Sequence, residues 1–153
     1  MLNPRILTNA IRDVLVTNAD LLALVPTMNV FHYNLGSERT LLEALSLMTS
    51  PSIMIYWDGT QGGNFSGSEI WKHRFNIVMR SDNQKNNSYP HSYEDIWWAL
   101  CNGHVNGTQR NIRQLSIVPD VDLVDTPSVS HMTDGEGNDY FVGSFVLPEI
   151  GDV

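Results

Sequence analysis

Glycine, aspartate, histidine and cysteine each occur here in an arrangement that chemistry could use. The stretch YWDGTQGGNFSGSEIW, residues 56–71, holds Gly59, Gly62, Gly63 and Gly67 within nine positions. A phosphate cradle needs a strand, a glycine-rich turn and then a helix whose N-terminus, with a lysine, meets the phosphates. No Gly-Lys-Ser/Thr occurs, and the segment after Gly67 alternates with period two, so it is a strand. A dinucleotide fingerprint fails on the same ground. The stretch is therefore a hairpin tip, and Asp58, Gly59, Thr60, Gln61, Gly62, Gly63, Asn64 and Phe65 form a candidate interaction finger.

In DVDLVD, residues 120–125, Asp120 and Asp122 fall on one face of a strand and superficially suit a divalent cation. Nothing spaced near them completes such a site, and no metal or other cofactor is expected. His32, His73, His91, His104 and His131 show no metal-ligand spacing. His73 falls on the apolar phase of its strand and reads as a packed, hydrogen-bonded ring. Cys101, the single cysteine, has no disulfide partner within the chain and reads as an inert buried thiol. No nucleophile elbow is present.

The elements that would position these residues follow from periodicity. Apolar pairs Ile6/Leu7, Ala10/Ile11 and Val14/Leu15 predict a helix from Pro4 to about Val16, capped by Asn3. Asn18 caps a short second turn that Pro26 stops. Val30–Tyr33 is extended, and a helix is expected from Ser37 through Met48. Residues 52–57, SIMIYW, have the length and apolarity of an interior strand. In EIWKHRFNIVM, Trp71, Phe75, Ile77 and Met79 face one way and Lys72, Arg74 and Asn76 the other. A helix over about 93–102, with Ser92 and Asp95 as a capping pair, stacks Tyr93, Ile96, Trp97, Leu100 and Cys101, and leaves Trp98 off that stripe as a candidate interface anchor. Strands are expected at Ile112–Val118, Val121–Val124, Val129–Thr133 and Tyr140–Leu147, with a hairpin tip at 133–139 that carries Asp134 and Glu136. The expected fold is a single α+β domain: an antiparallel β-sheet flanked by two main helices on one face, with extended hairpin loops.

Charge narrows the partners. Of 153 residues, all nine Lys and Arg lie at or before Arg113, balanced there by nine acids. The last forty residues hold eight acids and no base, so the whole net charge of −8 sits in them. Gripping DNA requires Lys and Arg to displace counterions. The best basic stripe, Lys72, Arg74 and Arg80, is small against that excess. The acids instead suit a solvated surface or a wall that nucleic acid slides past. No window is apolar enough for a membrane span, and the N-terminus lacks a signal-peptide pattern. The sequons at Asn64, Asn86 and Asn106 accordingly read as polar composition.

The order of elements is itself informative. NADLLALVPTMNVFHYNL leads from a helix into an extended piece; PSIMIYW, HRFNIVMR, SYEDIWWAL and YFVGSFVLPE follow. This arrangement resembles the tail-terminator (tail-completion) and neck proteins of tailed bacteriophages. The resemblance spans most of the chain through short hydrophobic patterns. It implies a non-enzymatic virion protein, assembled in the host cytoplasm into a ring, typically a hexamer. Such a ring caps the tail tube protein and joins it to the head connector or adaptor, and DNA passes through the channel without specific binding. The glycine finger, Lys72, Arg74, Trp98, Asp134 and Glu136 would then serve subunit contacts, and Asp120, Asp122 and Asp125 would line the channel. Two other readings stand beside it. One is a glycan- or peptide-binding module that stacks ligand on Trp57, Trp71 and Trp98. The other is a hydrolase using Asp120, Asp122 or His104.

Overall fold

The computed structural model describes residues 3–26, 29–33, 40–48, 51–65, 68–80, 93–112, 125–133 and 139–152. The helices are α1 (Pro4–Leu15), α2 (Ala19–Leu22), α3 (Leu41–Ser46) and α4 (Tyr93–Asn102). The strands are β1 (Val30–Tyr33), β2 (Ser52–Phe65), β3 (Ser68–Arg80), β4 (His104–Val105), β5 (Thr108–Gln109), β6 (Asp125–Thr133) and β7 (Asp139–Asp152). Five of them form one sheet in the order β1-β2-β3-β7-β6. The α+β class is as expected, with one difference in the sheet: β1 runs parallel to β2, and the other pairings are antiparallel. A parallel neighbour requires a crossover. The chain between β1 and β2, which includes α3, provides it.

Alternation along the central strands divides the protein into two cores. Ile53, Ile55, Phe75, Ile77, Met79, Phe145 and Leu147 face α1, α2 and α4, meeting Leu7, Ile11, Leu15, Leu21, Tyr93, Ile96 and Leu100. The two main helices thus share one face, and Phe75 and Phe145, directly paired across β3 and β7, stack at 5.7 Å. Met54, Tyr56, Val78 and Tyr140 point the other way and pack with Leu45 and Met48 around α3. That second core departs from the expectation of helices on one face only. Its helix is also shorter than read: Thr40 accepts the Glu43 N–H at 3.2 Å and caps it, whereas residues 34–39 lie outside the described set.

Asn18 ties the helical layer together. Its Oδ1 accepts the Leu21 N–H at 3.0 Å, capping α2, and its Nδ2 donates to the Ala99 carbonyl of α4 at 2.8 Å. Gly103 lies so close that a Cβ there would collide with the Asn18 amide. Just beyond, Asn106 and Gly107 adopt φ 50° and 78° and turn β4 into β5. This small Asn-Gly hairpin was not anticipated, although the dipeptide is its usual sequence signal. Of the anticipated strands at 112–124, Ile112 is a buried core residue, and 113–124 lie outside the described residues, as does Ser92.

On the α3 face, directly paired Tyr56, Asn76 and Ser144 form a polar rung. Asn76 Nδ2 donates to the Tyr56 oxygen at 3.0 Å, and Ser144 Oγ donates to Asn76 Oδ1 at 2.7 Å. Burial holds the Tyr56 pKa above its ordinary 10.0; the Asn76 bond opposes this and the Asp58 charge adds to it. The fold thus retains a proton that the unfolded chain releases, so this contribution to stability is intact below about pH 10 and lost as pH rises further. An absorbance titration of the phenolates should show a component ionising above the ordinary range that urea abolishes and that Tyr56→Phe reduces by one tyrosine. A second prediction concerns the helical layer. Asn18→Ala removes the α2 cap and one of the two hydrogen bonds at the Ala99 carbonyl, which keeps the Gly103 N–H at 2.8 Å, and should lower unfolding free energy by about 1–2 kcal/mol in a urea melt.

Candidate functional site

The glycine stretch is strand, where a loop was expected. Past a single bulge β2 and β3 pair residue for residue out to Phe65 and Ser68, residues 66–67 lie outside the described set, and β7 follows β3 to the same end. Neither core draws a residue from β2 beyond Trp57, from β3 before Phe75 or from β7 beyond Leu147. These distal segments form a three-stranded arm about 20 Å long at the rise of extended chain.

A β-bulge builds the base of the arm. Trp57 pairs with Phe75 and Thr60 with His73, so β2 takes three steps where β3 takes two. Gly59 absorbs the extra residue at φ +119°, which side chains rarely adopt. The extra residue inverts the phase of β2 and brings Thr60 to the helical face beside Trp57. A hydrogen-bonded chain results: Trp57 Nε1 donates to Thr60 Oγ1 at 2.9 Å, Thr60 Oγ1 meets His73 Nδ1 at 2.8 Å, and His73 Nε2 meets Glu149 Oε2 at 2.6 Å. A carboxylate only accepts, so His73 Nε2–H donates to Glu149; in a neutral ring Nδ1 then accepts the Thr60 hydroxyl hydrogen, while the Thr60 oxygen accepts the indole N–H. The neutral imidazole satisfies every member. Further out, the Trp71 ring covers Gly62, its direct partner on β2, where a Cβ would enter the indole.

Hydroxyl, imidazole and carboxylate in series are the parts of a nucleophilic triad. Here the imidazole is fully buried, and the hydroxyl oxygen already holds a tryptophan N–H. The arrangement is that of a structural clamp across three strands. The Glu149 side of it was readable: residues 145, 147 and 149 share the core phase of β7, and an acid there needs a partner.

Two surfaces flank this clamp. On the α3 face, a cleft of about 220 Å³ is bordered by Asp58, Gly59, Thr60, Gln61, Lys72, Arg74 and Val146. Lys72, Arg74, Gln61, Gly62 and Gly63 are exposed, and Lys72 and Arg74 make no ion pair among the described residues. The second surface is on the helical face towards the opposite end of β7. There Trp97, Trp98 and Cys101 of α4, with Val129 and Phe141, line an apolar groove of about 300 Å³. Trp98 is 56% exposed, off the buried stripe as its position implied.

The structure therefore brings Asp58–Gly63, Lys72 and Arg74 together and sets Trp98 apart from them. Asn64 and Phe65 continue the ladder, with side chains outside the described set. Asp125 begins β6, paired with Val146, and its side chain is likewise outside. Asp120, Asp122, Asp134 and Glu136 lie outside the described residues. Trp57 is half-buried against the core and Trp71 lies over Gly62, whereas Trp98 lines the groove beside α4. The His104 ring nitrogen Nδ1 sits 3.6 Å from Asp20, whose carboxylate also accepts the His104 backbone N–H. Among the described residues, no three His, Cys, Asp or Glu side chains are grouped to hold a metal, and no helix is long and apolar enough to cross a membrane. No protein-family model matches the chain, and comparison with curated proteins gives no match.

Thr60→Val should orphan both Trp57 Nε1 and His73 Nδ1, at roughly 1–3 kcal/mol each. The expected readouts are a lower urea midpoint and faster amide exchange in residues 60–65 and 68–73. Unchanged exchange there would mean that the clamp does not hold the arm.

Proposed function

We propose that this chain is a non-enzymatic structural subunit that assembles into a ring at the head-proximal end of a phage tail. In that role it caps the tail tube, joins it to the head connector, and leaves a channel through which DNA passes. The observation that carries the reading is the three-stranded arm, clamped at its base and bearing exposed Lys72 and Arg74 beside the cleft. A rigid projection whose cations make no ion pair among the described residues suits contact with a differently shaped, acidic surface on a neighbour. The chain carries the opposite charge in its own sequence, since its entire acid excess follows residue 113. A contact between two different patches of identical subunits is heterologous, and closes into a ring when its rotation permits. The resemblance of the element order in the sequence to that of tail-terminator proteins supports the same reading.

Size exclusion with light scattering over a wide concentration range, with negative-stain images, tests it. The expected particle is a ring with a central hole, hexameric or near it, formed alone or on added tail tubes. Lys72→Glu with Arg74→Glu should leave the monomer folded and weaken assembly about tenfold or more. A strict monomer that also fails to bind tail tubes would overturn the reading.

A further inference from the structure

Among the described residues four large apolar side chains are exposed, and two of them, Trp98 and Val129, line the groove between α4 and β6. The backbone beside the groove indicates what kind of molecule fills it. Among the described residues β6 is the last strand of the sheet on this side, and Ser128, Val129, Ser130 and His131 are exposed on both of its faces. An open strand edge presents a row of donors and acceptors that an extended chain satisfies by adding alongside. The opposite edge is treated differently: Arg12 of α1 donates Nε to the Val30 carbonyl of β1 at 2.8 Å.

Charge narrows the occupant further. Glu94 lines the groove, is exposed, and makes no hydrogen bond or ion pair among the described residues. No Lys or Arg lines the groove, and the chain from Arg113 onward, which includes β6 and β7, carries acids and no further base. A cation brought by the occupant would meet Glu94 without competition from the groove walls.

We propose that this groove docks an extended segment of a partner protein. The segment adds to β6 as a further strand, seats one bulky apolar side chain between Trp98 and Val129, and sets a lysine or arginine against Glu94. Main-chain bonds along the edge supply general affinity, and the apolar slot and the carboxylate supply selection. The groove lies on the helical face, away from Lys72 and Arg74, so the proposal goes beyond ring assembly and applies equally to a monomer.

The probe is a fluorescently labelled, threonine-rich nine-residue peptide with a central phenylalanine and a lysine two positions to either side. It is titrated into the full chain and followed by anisotropy. Saturable binding is expected, weakened about tenfold or more by Trp98→Ala and by Glu94→Lys. Both positions are exposed, and far-UV circular dichroism checks that the variants remain folded. Glu94→Lys should regain affinity for the same peptide with glutamates in place of its lysines. The proposal is overturned by absence of saturable binding at millimolar peptide, or by binding that both variants leave unchanged. It is equally overturned if the wild type self-associates and Trp98→Ala makes it monomeric, because the occupant is then a second copy.

Discussion

One extra residue in β2 governs most of what is distinctive here. Strand residues alternate between faces, so a single insertion exchanges the faces of everything beyond it. With the bulge at Asp58–Gly59, Thr60 follows Trp57 onto the helical face, where it meets His73. A regular β2 would turn Thr60 to the α3 face and leave His73 Nδ1 buried without this hydroxyl. The same phase sets Gly62, which has no side chain, opposite the Trp71 ring that needs the space. Clamp and arm thus depend on a backbone conformation that Gly59 adopts and that a side chain would strain.

The parts of the fold set by local alternation or capping were legible in the sequence. Asn3, Asn18 and the alternation of 70–79 each act within a few residues and appear where expected. The extent of β2 was not legible, because glycine and asparagine are poor strand formers alone, and residues 58–65 are extended only through pairing with β3. Only tertiary pairing shows that a glycine-rich stretch is a strand and its bulge a phase change. The parallel placement of β1 was hidden for a similar reason: a short strand takes its direction from the crossover that returns the chain, not from its own side chains. Of the candidate site, Lys72, Arg74 and Trp98 were visible as residues that break a buried pattern. Their separation onto opposite faces was not, since it depends on how α4 lies over β7.

That placement of α4 has a specific cause. Trp97 lies against Gly143, where a Cβ would strike the ring, so the helix sits close to the sheet at this point. Tyr93 meets Phe141 at 4.3 Å on the same side. With Trp97 turned inward, its neighbour Trp98 must turn outward, because adjacent helical residues project about 100° apart. The apolar groove is thus a consequence of seating α4 tightly, and it opens where the sheet ends at β6.

β7 is the strand common to both surfaces and the clamp. Phe141 lines the groove, Val146 borders the cleft, and Glu149 closes the hydrogen-bonded chain to His73. It is paired on one side with β3 along nearly its whole length and on the other with β6. A strand bonded in this way resists bending, so force or binding at one end reaches the other by displacement of the sheet more readily than by local rearrangement. In the proposed ring assembly, a subunit contacting two neighbours would need that property, since flexibility between the contacts would dissipate the geometry that each one sets. The polar clamp serves the same end: among the described residues the core clusters take no side chain of β7 beyond Leu147, and His73 with Glu149 ties β3 to β7 there.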